Sequence, residues 1–218
     1  MDSKTVEPRL LHRGAEADLF LSKLGPWEAV VKQRVRKYYR NPVLDDRIRR
    51  ERTAREATAL QEAKKAGVRT PSVLAVDLDK HSITMTRVAG LLARDNLDRM
   101  SPATSAGIFQ ELGRQIGLLH MEGTVHGDLT TSNIIISEGG IPFILDFGMS
   151  SRSFETEDRG VDLHLLRRSI ATSHAVNSDH CVRAVLRGYR VAAGHRQAGL
   201  SFWKAAEIAR RGRYFAIR

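Results

Sequence analysis

The sequence predicts an α+β fold with two lobes, a small antiparallel β lobe over residues 1–90 and a reduced, mostly helical lobe over residues 91–218. Short apolar runs separated by turns are typical of antiparallel strands, and they fill residues 9–35 and the segments SVLAVDLD and HSITMTRVAG. After Ser101 the apolar residues change to helical spacing. A chain of 218 residues is long enough to bury a sizeable core, and we expect one domain overall.

The composition is that of an ordinary globular protein, with 42% hydrophobic and 28% charged residues. No apolar stretch has the length of a transmembrane helix or of a signal-peptide core. The single cysteine, Cys181, has no partner for an internal disulfide and fits a reducing compartment. We therefore expect a cytoplasmic protein that does not associate with membranes.

The net charge of +10 is concentrated in two stretches. The N-terminal basic cluster comprises Arg34, Arg36, Lys37, Arg40, Arg47, Arg49, Arg50, Arg52 and Arg55, and the C-terminal basic cluster comprises Arg210, Arg211, Arg213 and Arg218. Solvated helix faces explain many such runs, whereas binding to a polyanion such as RNA is the sharper interpretation. Of the aromatic residues near the C-terminal cluster, Tyr214 could stack on a base, while core packing is expected for Trp203 and Phe215.

The first strands carry two candidate binding residues. Gly14 lies at the tip of a strand–turn–strand, where a turn glycine is the simplest interpretation. Lys32 ends the apolar run AVVK, and an ammonium on a half-buried strand face needs an anionic partner. A phosphate together with a carboxylate would supply that partner. The alternative is an edge lysine whose head stays in water.

Residues 43–66 are predicted to form a helix that ends at Gly67. Its proposed apolar stripe consists of Leu44, Ile48, Ala59, Leu60 and Ala63. Three acidic residues on this helix, Glu51, Glu56 and Glu62, are candidates to pair with Lys32. Helical spacing does not choose among them.

The stretch TVHGDLTTSNIIISEGGIPFILDFGMS, residues 124–150, carries the strongest signal for chemistry. Asp128 and Asn133 lie in a tight loop, which is followed by a strand, a turn at Gly139-Gly140 and a second strand. This hairpin returns Asp146 towards the loop, so that a carboxylate and an amide oxygen could share a Mg²⁺ ion. Asp128 would then orient a hydroxyl group or a water molecule. Turn-capping Asp and Asn residues are the alternative.

The helical lobe is predicted to begin with Ser101 as a cap and Pro102 in the first turn. Further helices are expected after the segment SRSFETEDRG, over about residues 179–193 and over about residues 201–211. His126 is expected to pack beneath the loop. Asp162 either anchors that loop through backbone N–H groups or is simply an acidic residue near a helix N-terminus.

Several strings together resemble known families. HGDLTTSN followed by DFG is similar to the protein-kinase-like superfamily. GAEA, VVKQR, KYYRNPVLD, RTAREA and EDRGVDLHLL extend the match, and the whole resembles the small atypical, RIO-related kinase subunit of the KEOPS complex. That complex carries out the threonylcarbamoyl-adenosine modification of tRNA. The resemblance therefore implies a protein-kinase-like bilobal fold.

The resemblance also implies roles for individual residues. Asp128 would be the catalytic base, and Asn133 and Asp146 would be the metal ligands. Lys32 and Glu56 would form the pair that binds phosphate. Gly14 and Glu16 would belong to a reduced loop that covers the nucleotide, which has one glycine where protein kinases have three. The implied cofactors are ATP and Mg²⁺.

The chain departs from ordinary protein kinases at several positions. Gly127 replaces the arginine next to the base, Thr130 replaces a lysine, and no A-P-E string follows Asp146. The last residues, RRGRYFAIR, also differ from the basic tail that is usual in the family. These features imply an ATPase or atypical serine/threonine kinase that works with a threonylcarbamoyl-transfer subunit, other KEOPS subunits and tRNA. A small-molecule phosphotransferase and a non-catalytic RNA-binding scaffold are the alternatives.

Overall fold

The computed structural model describes residues 9–173 and 178–215 and divides them into two compact units. Unit 1 contains the described residues up to Glu62 together with Pro71–Val88, and unit 2 contains Ala63–Thr70 and the described residues from Ala89 onward. The sequence-based division after residue 90 differs from this one mainly in the segment Ala63–Thr70, which groups with unit 2.

Unit 1 is built on a five-stranded antiparallel sheet with the order β1-β2-β3-β5-β4. Its strands are β1 Arg9–Arg13, β2 Ala17–Leu24, β3 Trp27–Arg34, β4 Val73–Asp77 and β5 Ser82–Thr86. The β1–β2 turn requires a glycine, because a Cβ atom at Gly14 would lie 2.6 Å from the carbonyl oxygen of Ala17. Along β3 successive side chains alternate between the two faces of the sheet, so Lys32 and Arg34 project from the same face.

Helix α1, Pro42–Lys65, follows β3. The side chain of Asn41 starts it by accepting a 3.0 Å hydrogen bond from the Val43 backbone N–H. The predicted apolar stripe is wrong in the first half of the helix, because Leu44 is exposed. Polar residues are buried along the helix, namely Asp45, Thr53 and Glu56, while Ala59, Leu60 and Ala63 of the predicted stripe are also buried. The hydrogen bonds and ion pairs of the polar residues replace part of the apolar contacts of an ordinary amphipathic helix.

The connection after α1 belongs to unit 2. The backbone N–H groups of Gly67 and Val68 donate to the carbonyls of Lys64 and Ala63, and Gly67 adopts a φ of +86°. This left-handed residue ends the helix as predicted.

Unit 2 combines small sheets with three long helices. One sheet has the order β6-β8-β9 and the other pairs β7 with β10, the strands being β6 Leu91–Leu92, β7 Thr124–Val125, β8 Ile134–Ile136, β9 Pro142–Ile144 and β10 Ser151–Arg152. The helices are α2 Ala93–Asn96, α3 Pro102–Met121, α4 Thr156–Ser173 and α5 Ser178–Phe215, with 3₁₀ turns at Leu97–Arg99 and Thr131–Asn133. The predicted hairpin is therefore present as β8 and β9.

The start of α3 is confirmed, because Ser101 Oγ accepts a 3.1 Å hydrogen bond from the Thr104 N–H and Pro102 lies in the first turn. Helices α3 and α5 pack closely through glycines. A Cβ atom at Gly113 would lie 2.1 Å from the Val185 carbonyl oxygen, and one at Gly188 would lie 1.7 Å from the Gln110 carbonyl oxygen. No larger residue fits at either position without moving the helices apart.

The C-terminal helices differ from the prediction. Gly194, with φ 74° and ψ 162°, is the one residue inside α5 with non-helical backbone angles. Helical structure resumes directly after Gly194 and not near residue 201, since a single left-handed glycine is enough to break the helix. Within the part of the chain that the structure describes, no helix is long and apolar enough to cross a membrane.

Candidate functional site

In unit 1, Lys32 and Glu56 form a buried ion pair. Lys32 Nζ lies 2.6 Å from Glu56 Oε1, and the two side chains are 10% and 1% exposed. Lys32 reaches this position because its neighbours across the sheet, Leu19 on β2 and Ile83 on β5, fix the register of β3. The edge-lysine alternative is therefore wrong, because the ammonium group is not in open water.

Arg34 contacts the same carboxylate from the other side. Its Nη2 atom lies 2.5 Å from Glu56 Oε2 and also donates to the Arg52 carbonyl oxygen at 3.4 Å. The Arg34 Nε atom is buried and has no hydrogen-bond partner among the described residues. Glu56 is thus held by one cation on each oxygen, which restricts the position of the Lys32 ammonium.

The loop from Gly14 to Glu16 also has a defined local structure. The Gly14 N–H donates to the Ala17 carbonyl oxygen at 3.1 Å, and the Glu16 carbonyl oxygen accepts from the Val35 N–H at 3.1 Å. The Glu16 carboxylate forms an exposed 2.9 Å ion pair with Arg52. These contacts account for the conformation of the loop, and the nucleotide-covering role of Gly14 and Glu16 stays a prediction.

In unit 2, the loop and the hairpin bring three predicted residues to one end of β8 and β9. Asn133 Nδ2 donates to Asp128 Oδ2 and to the Asp128 carbonyl oxygen, both at 2.9 Å. The Leu145 N–H donates to the Asn133 carbonyl oxygen at 2.9 Å, which places Asp146 next to Asn133 along the ladder. Asn133 therefore connects the loop of Asp128 with the strand end that carries Asp146.

Asp146 has an unusual backbone conformation. Its φ of 55° is in the left-handed region, which Asp tolerates better than most side chains because its short polar group bonds locally. Here Asp146 Oδ1 accepts a 3.1 Å hydrogen bond from the Gly148 N–H. The turn directs the chain away from the hairpin immediately after the carboxylate, and the next residue, Phe147, is buried.

His126 packs beneath the loop, as predicted. Its Nε2 atom donates to the Leu145 carbonyl oxygen at 2.8 Å, and its ring lies 4.9 Å from that of Phe147. Its Nδ1 atom accepts from the Asp128 N–H at 3.3 Å. His126 is fully buried and ties the loop to the hairpin.

Asp162 on α4 anchors the loop from below. Its contacts decide between this role and that of an acidic residue near a helix N-terminus. Its carboxylate accepts hydrogen bonds from the backbone N–H groups of His126 at 2.6 Å and Gly127 at 2.8 Å. His120 Nε2 donates to the same carboxylate at 3.1 Å. Burial raises the pKa of Asp162, but the hydrogen bond from His120 and the neighbouring histidines outweigh it and hold the pKa below its usual value.

The structure explains why residue 127 is a glycine where protein kinases have an arginine. Gly127 adopts a φ of +78°, and a Cβ atom there would lie 2.4 Å from the carbonyl oxygen of Met149. A side chain at this position would be strained and would clash with backbone.

Much of the N-terminal basic cluster is paired within unit 1. Asp45 is buried and contacts Arg49 at 2.8 Å and Arg40 at 3.7 Å, and Arg50 pairs with Asp79. Arg34 is 7% exposed, so the expectation that it follows an RNA backbone is wrong. Its guanidinium group forms an ion pair with the Glu56 carboxylate instead.

The C-terminal basic cluster is described only in part. Arg211 pairs with Glu157 at 3.3 Å and with Glu207, whereas the side chains of Arg213, Tyr214 and Phe215, and residue Arg218, lie outside the described residues. Core packing was expected for Trp203, and this is wrong, because its side chain is 58% exposed with Lys204 Nζ 5.1 Å from the ring centre.

Sequence reasoning missed two residues of these sites. Arg34 was counted only as part of a charge run, although its spacing of two residues from Lys32 on a strand predicts a shared face. His120 was assigned no role, and its contacts depend on the packing of α3, α4 and α5. Its Nδ1 atom lies 2.9 Å from the Tyr189 hydroxyl group on α5.

Comparison with known proteins identifies the family of the chain. Residues 28–171, which include Lys32, Glu56, Asp128, Asn133 and Asp146, match the RIO domain. The chain belongs to the RIO-domain family. The match covers most of both described units, and the chain matches relatives named as KEOPS subunits along nearly its full length, so the predicted resemblance to that family is confirmed.

The relatives fall into two groups by length. The chain is 39% identical over 212 residues to the KEOPS complex subunit Bud32 of Pyrococcus abyssi, covering 94% of this chain and 96% of the relative. It is 33% identical to the EKC/KEOPS complex subunit bud32 of Dictyostelium discoideum, covering 94% and 82%. It is 38% identical to a probable bifunctional tRNA threonylcarbamoyladenosine biosynthesis protein of Methanothermobacter thermautotrophicus, but spans only 37% of that longer chain.

A solved structure confirms the fold class. The Rio2 kinase from Chaetomium thermophilum aligns with a TM-score of 0.64 at 16% sequence identity, over 94% of this chain and 73% of that one. The predicted protein-kinase-like α+β fold, with an antiparallel sheet followed by a mostly helical part, is therefore correct.

Proposed function

We propose that this protein is a Mg²⁺- and ATP-dependent phosphotransferase, an ATPase or atypical serine/threonine kinase, that serves as a KEOPS subunit in the threonylcarbamoyl-adenosine modification of tRNA. The names of relatives that match the chain over nearly its full length support the assignment to this machinery. The contacts of Asn133, which bonds to Asp128 and pairs with the residue before Asp146, carry the assignment of phosphoryl chemistry.

The donor atoms near Asn133 fit Mg²⁺. The amide nitrogen of Asn133 is used by Asp128, which leaves the amide oxygen as the polar atom of that side chain for a cation. Asp146 adds a carboxylate, and both are the hard oxygen ligands that Mg²⁺ prefers. Among the described residues no group of three or more Asp, Glu, His or Cys side chains could hold a metal, so an ion here would also use phosphate oxygens and water.

Bound Mg²⁺ would neutralise negative charge on the phosphates during transfer. Asp128 would accept a hydrogen bond from the attacking hydroxyl group or water and take its proton. Two features support this role, since the side chain is exposed and the Asn133 amide fixes one of its carboxylate oxygens at 2.9 Å. Asp162 and His126 hold the loop backbone through the N–H groups of His126, Gly127 and Asp128, so their role would be to position Asp128.

Lys32 would bind phosphate oxygens of ATP. Glu56 holds the Lys32 ammonium, and Arg34 holds Glu56, so the ammonium is positioned before any nucleotide arrives. A cation with a fixed position stabilises the charge of transferring phosphates without a reorganisation step. Gly14 and Glu16 would cover the nucleotide from the β1–β2 loop.

The proposed partners are a threonylcarbamoyl-transfer subunit, other KEOPS subunits and tRNA. The relative from Methanothermobacter thermautotrophicus supports the first of these, since it is named bifunctional and joins the matching region to a longer remainder. A non-catalytic scaffold would have no use for Lys32, Asp128, Asn133 and Asp146 together, and no observation favours a small-molecule acceptor.

ATP turnover of purified variants tests the chemistry. Asp146→Asn and Asp128→Ala should each lower turnover by about 10²–10⁴-fold, with ATP binding retained in Asp128→Ala. Glu138→Gln is the matched control, because Glu138 is exposed in the turn of the same hairpin and should leave turnover unchanged. Near-normal turnover in Asp146→Asn would contradict the assignment. Threonylcarbamoyl-adenosine formation with a transferase and tRNA, compared with and without this chain, tests the pathway separately.

A further inference from the structure

Two adjacent tyrosines lie almost fully in solvent. Tyr38 is 86% exposed and Tyr39 is 79% exposed, whereas other aromatic side chains such as Phe109, Phe147 and Tyr189 are at most 1% exposed. Tyr38 and Tyr39 therefore contribute nothing to a core. Large exposed aromatic groups that lie side by side indicate a binding surface rather than packing.

The segment that carries them is ordered by hydrogen bonds. The Arg40 N–H donates to the Lys37 carbonyl oxygen at 3.1 Å, which closes a turn around the two tyrosines. The Lys37 N–H donates to Asp45 Oδ1 at 3.3 Å, and the Asp45 N–H donates to the Asn41 carbonyl oxygen at 2.8 Å. Because Asp45 is buried in α1, the turn is fixed to the helix. A fixed turn loses less entropy on binding than a free loop does.

Each tyrosine ring has an arginine over it. The guanidinium carbon of Arg36 lies 5.4 Å from the centre of the Tyr38 ring, and that of Arg40 lies 5.3 Å from the centre of the Tyr39 ring. This arrangement covers one face of each ring with a cation. The high exposure of the rings leaves the other face accessible to a planar group.

The positive charge around the tyrosines favours a planar group that is linked to negative charge, as a nucleic-acid base is. Residues 34–44 contain four basic residues and no acidic one. Arg36 is exposed, so it can meet phosphate oxygens while the neighbouring ring meets a base. Unpaired RNA bases stack on aromatic rings and on guanidinium planes, and basic groups beside them bind the backbone.

We propose that Tyr38 and Tyr39, with Arg36 and Arg40, form a stacking platform for unpaired bases of RNA. This inference rests on the part of the proposed function that makes tRNA a partner of the chain. It adds which surface of unit 1 contacts the RNA. Arg36 and Arg40 belong to the platform because each lies over a tyrosine ring, and Arg40 also contacts the buried Asp45 at 3.7 Å.

The test measures binding of fluorescein-labelled tRNA transcript by anisotropy, with a single-stranded oligonucleotide and a blunt RNA duplex as further probes. Tyr38→Ala/Tyr39→Ala should weaken binding to tRNA and to the single strand by roughly 5- to 150-fold, because stacking of a base is lost. Tyr38→Phe/Tyr39→Phe keeps the rings and should bind like wild type. The duplex should bind both variants like wild type, because its bases are not available for stacking.

Two controls keep the result interpretable. Trp27→Ala removes another exposed aromatic side chain of unit 1 and should not change RNA affinity. Arg36→Gln should lower the slope of log affinity against log salt by roughly 0.7, the value for one phosphate contact on a single strand. ATP turnover and circular dichroism should be unchanged in all of these variants, since none alters Lys32, Asp128 or Asp146.

Unchanged tRNA affinity in the double alanine variant would overturn the proposal, as would an equal loss in the phenylalanine variant. If the double alanine variant keeps tRNA binding but loses a purified transferase subunit, the surface is a protein interface and the RNA assignment is wrong. If wild type itself binds no tRNA, alone or in complex, the RNA part of the proposed function fails together with the platform.

Discussion

Two buried carboxylates, Glu56 in unit 1 and Asp162 in unit 2, are held in opposite ways. Each is 1% exposed. Glu56 meets two side-chain cations, Lys32 and Arg34, whereas Asp162 meets two backbone N–H groups and His120. The first carboxylate positions a cation that is proposed to bind ATP, and the second fixes the loop that carries Asp128, the proposed catalytic base, through the N–H groups of His126 and Gly127. We therefore expect changes at the charge-held cluster to alter both stability and ligand affinity, and changes at the loop anchor to alter stability with little effect on ligand affinity.

The largest expected effect on stability and on ATP turnover comes from removing the Glu56 carboxylate, which both cations contact. Glu56→Gln removes the carboxylate charge that both Lys32 and Arg34 contact. Breaking a buried ion pair from one side costs about 3–5 kcal/mol, so the free energy of unfolding should fall by that amount and ATP turnover should be lost. Denaturant unfolding monitored by circular dichroism measures the first quantity.

Glu51→Gln is the control on the same helix. Glu51 is 59% exposed and lies 3.9 Å from the exposed Arg47, so its loss should cost about 0–1 kcal/mol. An equal loss in the free energy of unfolding for Glu51→Gln and Glu56→Gln would mean that the buried ion pairs of Glu56 do not stabilise the fold more than an exposed ion pair does.

An intermediate effect is expected at the loop anchor. Asp162→Asn replaces one acceptor oxygen by an NH₂ group that would face a backbone N–H. The expected loss in the free energy of unfolding is about 1.5–3 kcal/mol, the value for hydrogen bonds to a charged group, with little change in ATP affinity. Calorimetric titration of ATP together with denaturant unfolding separates the two quantities.

The effect of Asp162→Asn on stability should also depend on pH. Because the folded-state pKa of Asp162 is lowered, its ionised form stabilises the fold above the unfolded pKa of about 3.9. That contribution is lost as the pH falls through the lower folded-state pKa. The stability difference from Asp162→Asn should therefore be constant near neutral pH and shrink below about pH 4. A difference that grows on acidification would contradict the assignment.

The smallest effect on stability is expected for Arg34→Met. This change removes a buried guanidinium whose Nε atom has no hydrogen-bond partner among the described residues, and it keeps the contact between Lys32 and Glu56. Because the Lys32 ammonium still neutralises the Glu56 carboxylate, no uncompensated buried charge is left, and the free energy of unfolding should change by much less than the roughly 3–5 kcal/mol expected for Glu56→Gln. ATP affinity should nevertheless fall by about 10-fold, or roughly 1.4 kcal/mol, because Arg34 no longer holds the Glu56 carboxylate that positions the Lys32 ammonium. A large loss of stability with unchanged ATP affinity would make Arg34 purely structural.

Local signals in the sequence predicted the parts of the fold that depend on neighbouring residues. The cap at Ser101 and Pro102, the helix end at Gly67 and the hairpin around Gly139-Gly140 each depend on contacts a few residues apart. The same holds for Asp128 and Asn133, which are linked within one loop. Such contacts are encoded where they occur, so the sequence predicts them without knowledge of the rest of the fold.

The features that sequence reasoning missed depend on distant contacts. Leu44 was placed in an apolar stripe, but α1 buries Asp45 because arginines from the preceding turn and the next helical turn neutralise it. The pairing of Lys32 with Glu56 and not with Glu51 came from the family resemblance, since helical spacing allows several partners. Arg34 was missed because the sequence alone does not show which arginine of such a dense basic run is buried.

We propose that the Lys32 ammonium group, held by Glu56, binds the phosphates of ATP. Isothermal titration calorimetry of Mg²⁺-ATP into wild type and Lys32→Met tests this binding, because Arg34 still contacts the Glu56 carboxylate in the variant and the fold should persist. We expect the variant to bind roughly 10- to 150-fold more weakly, the value of a hydrogen bond to a charged group. Equal affinity in a folded Lys32→Met variant would contradict the account.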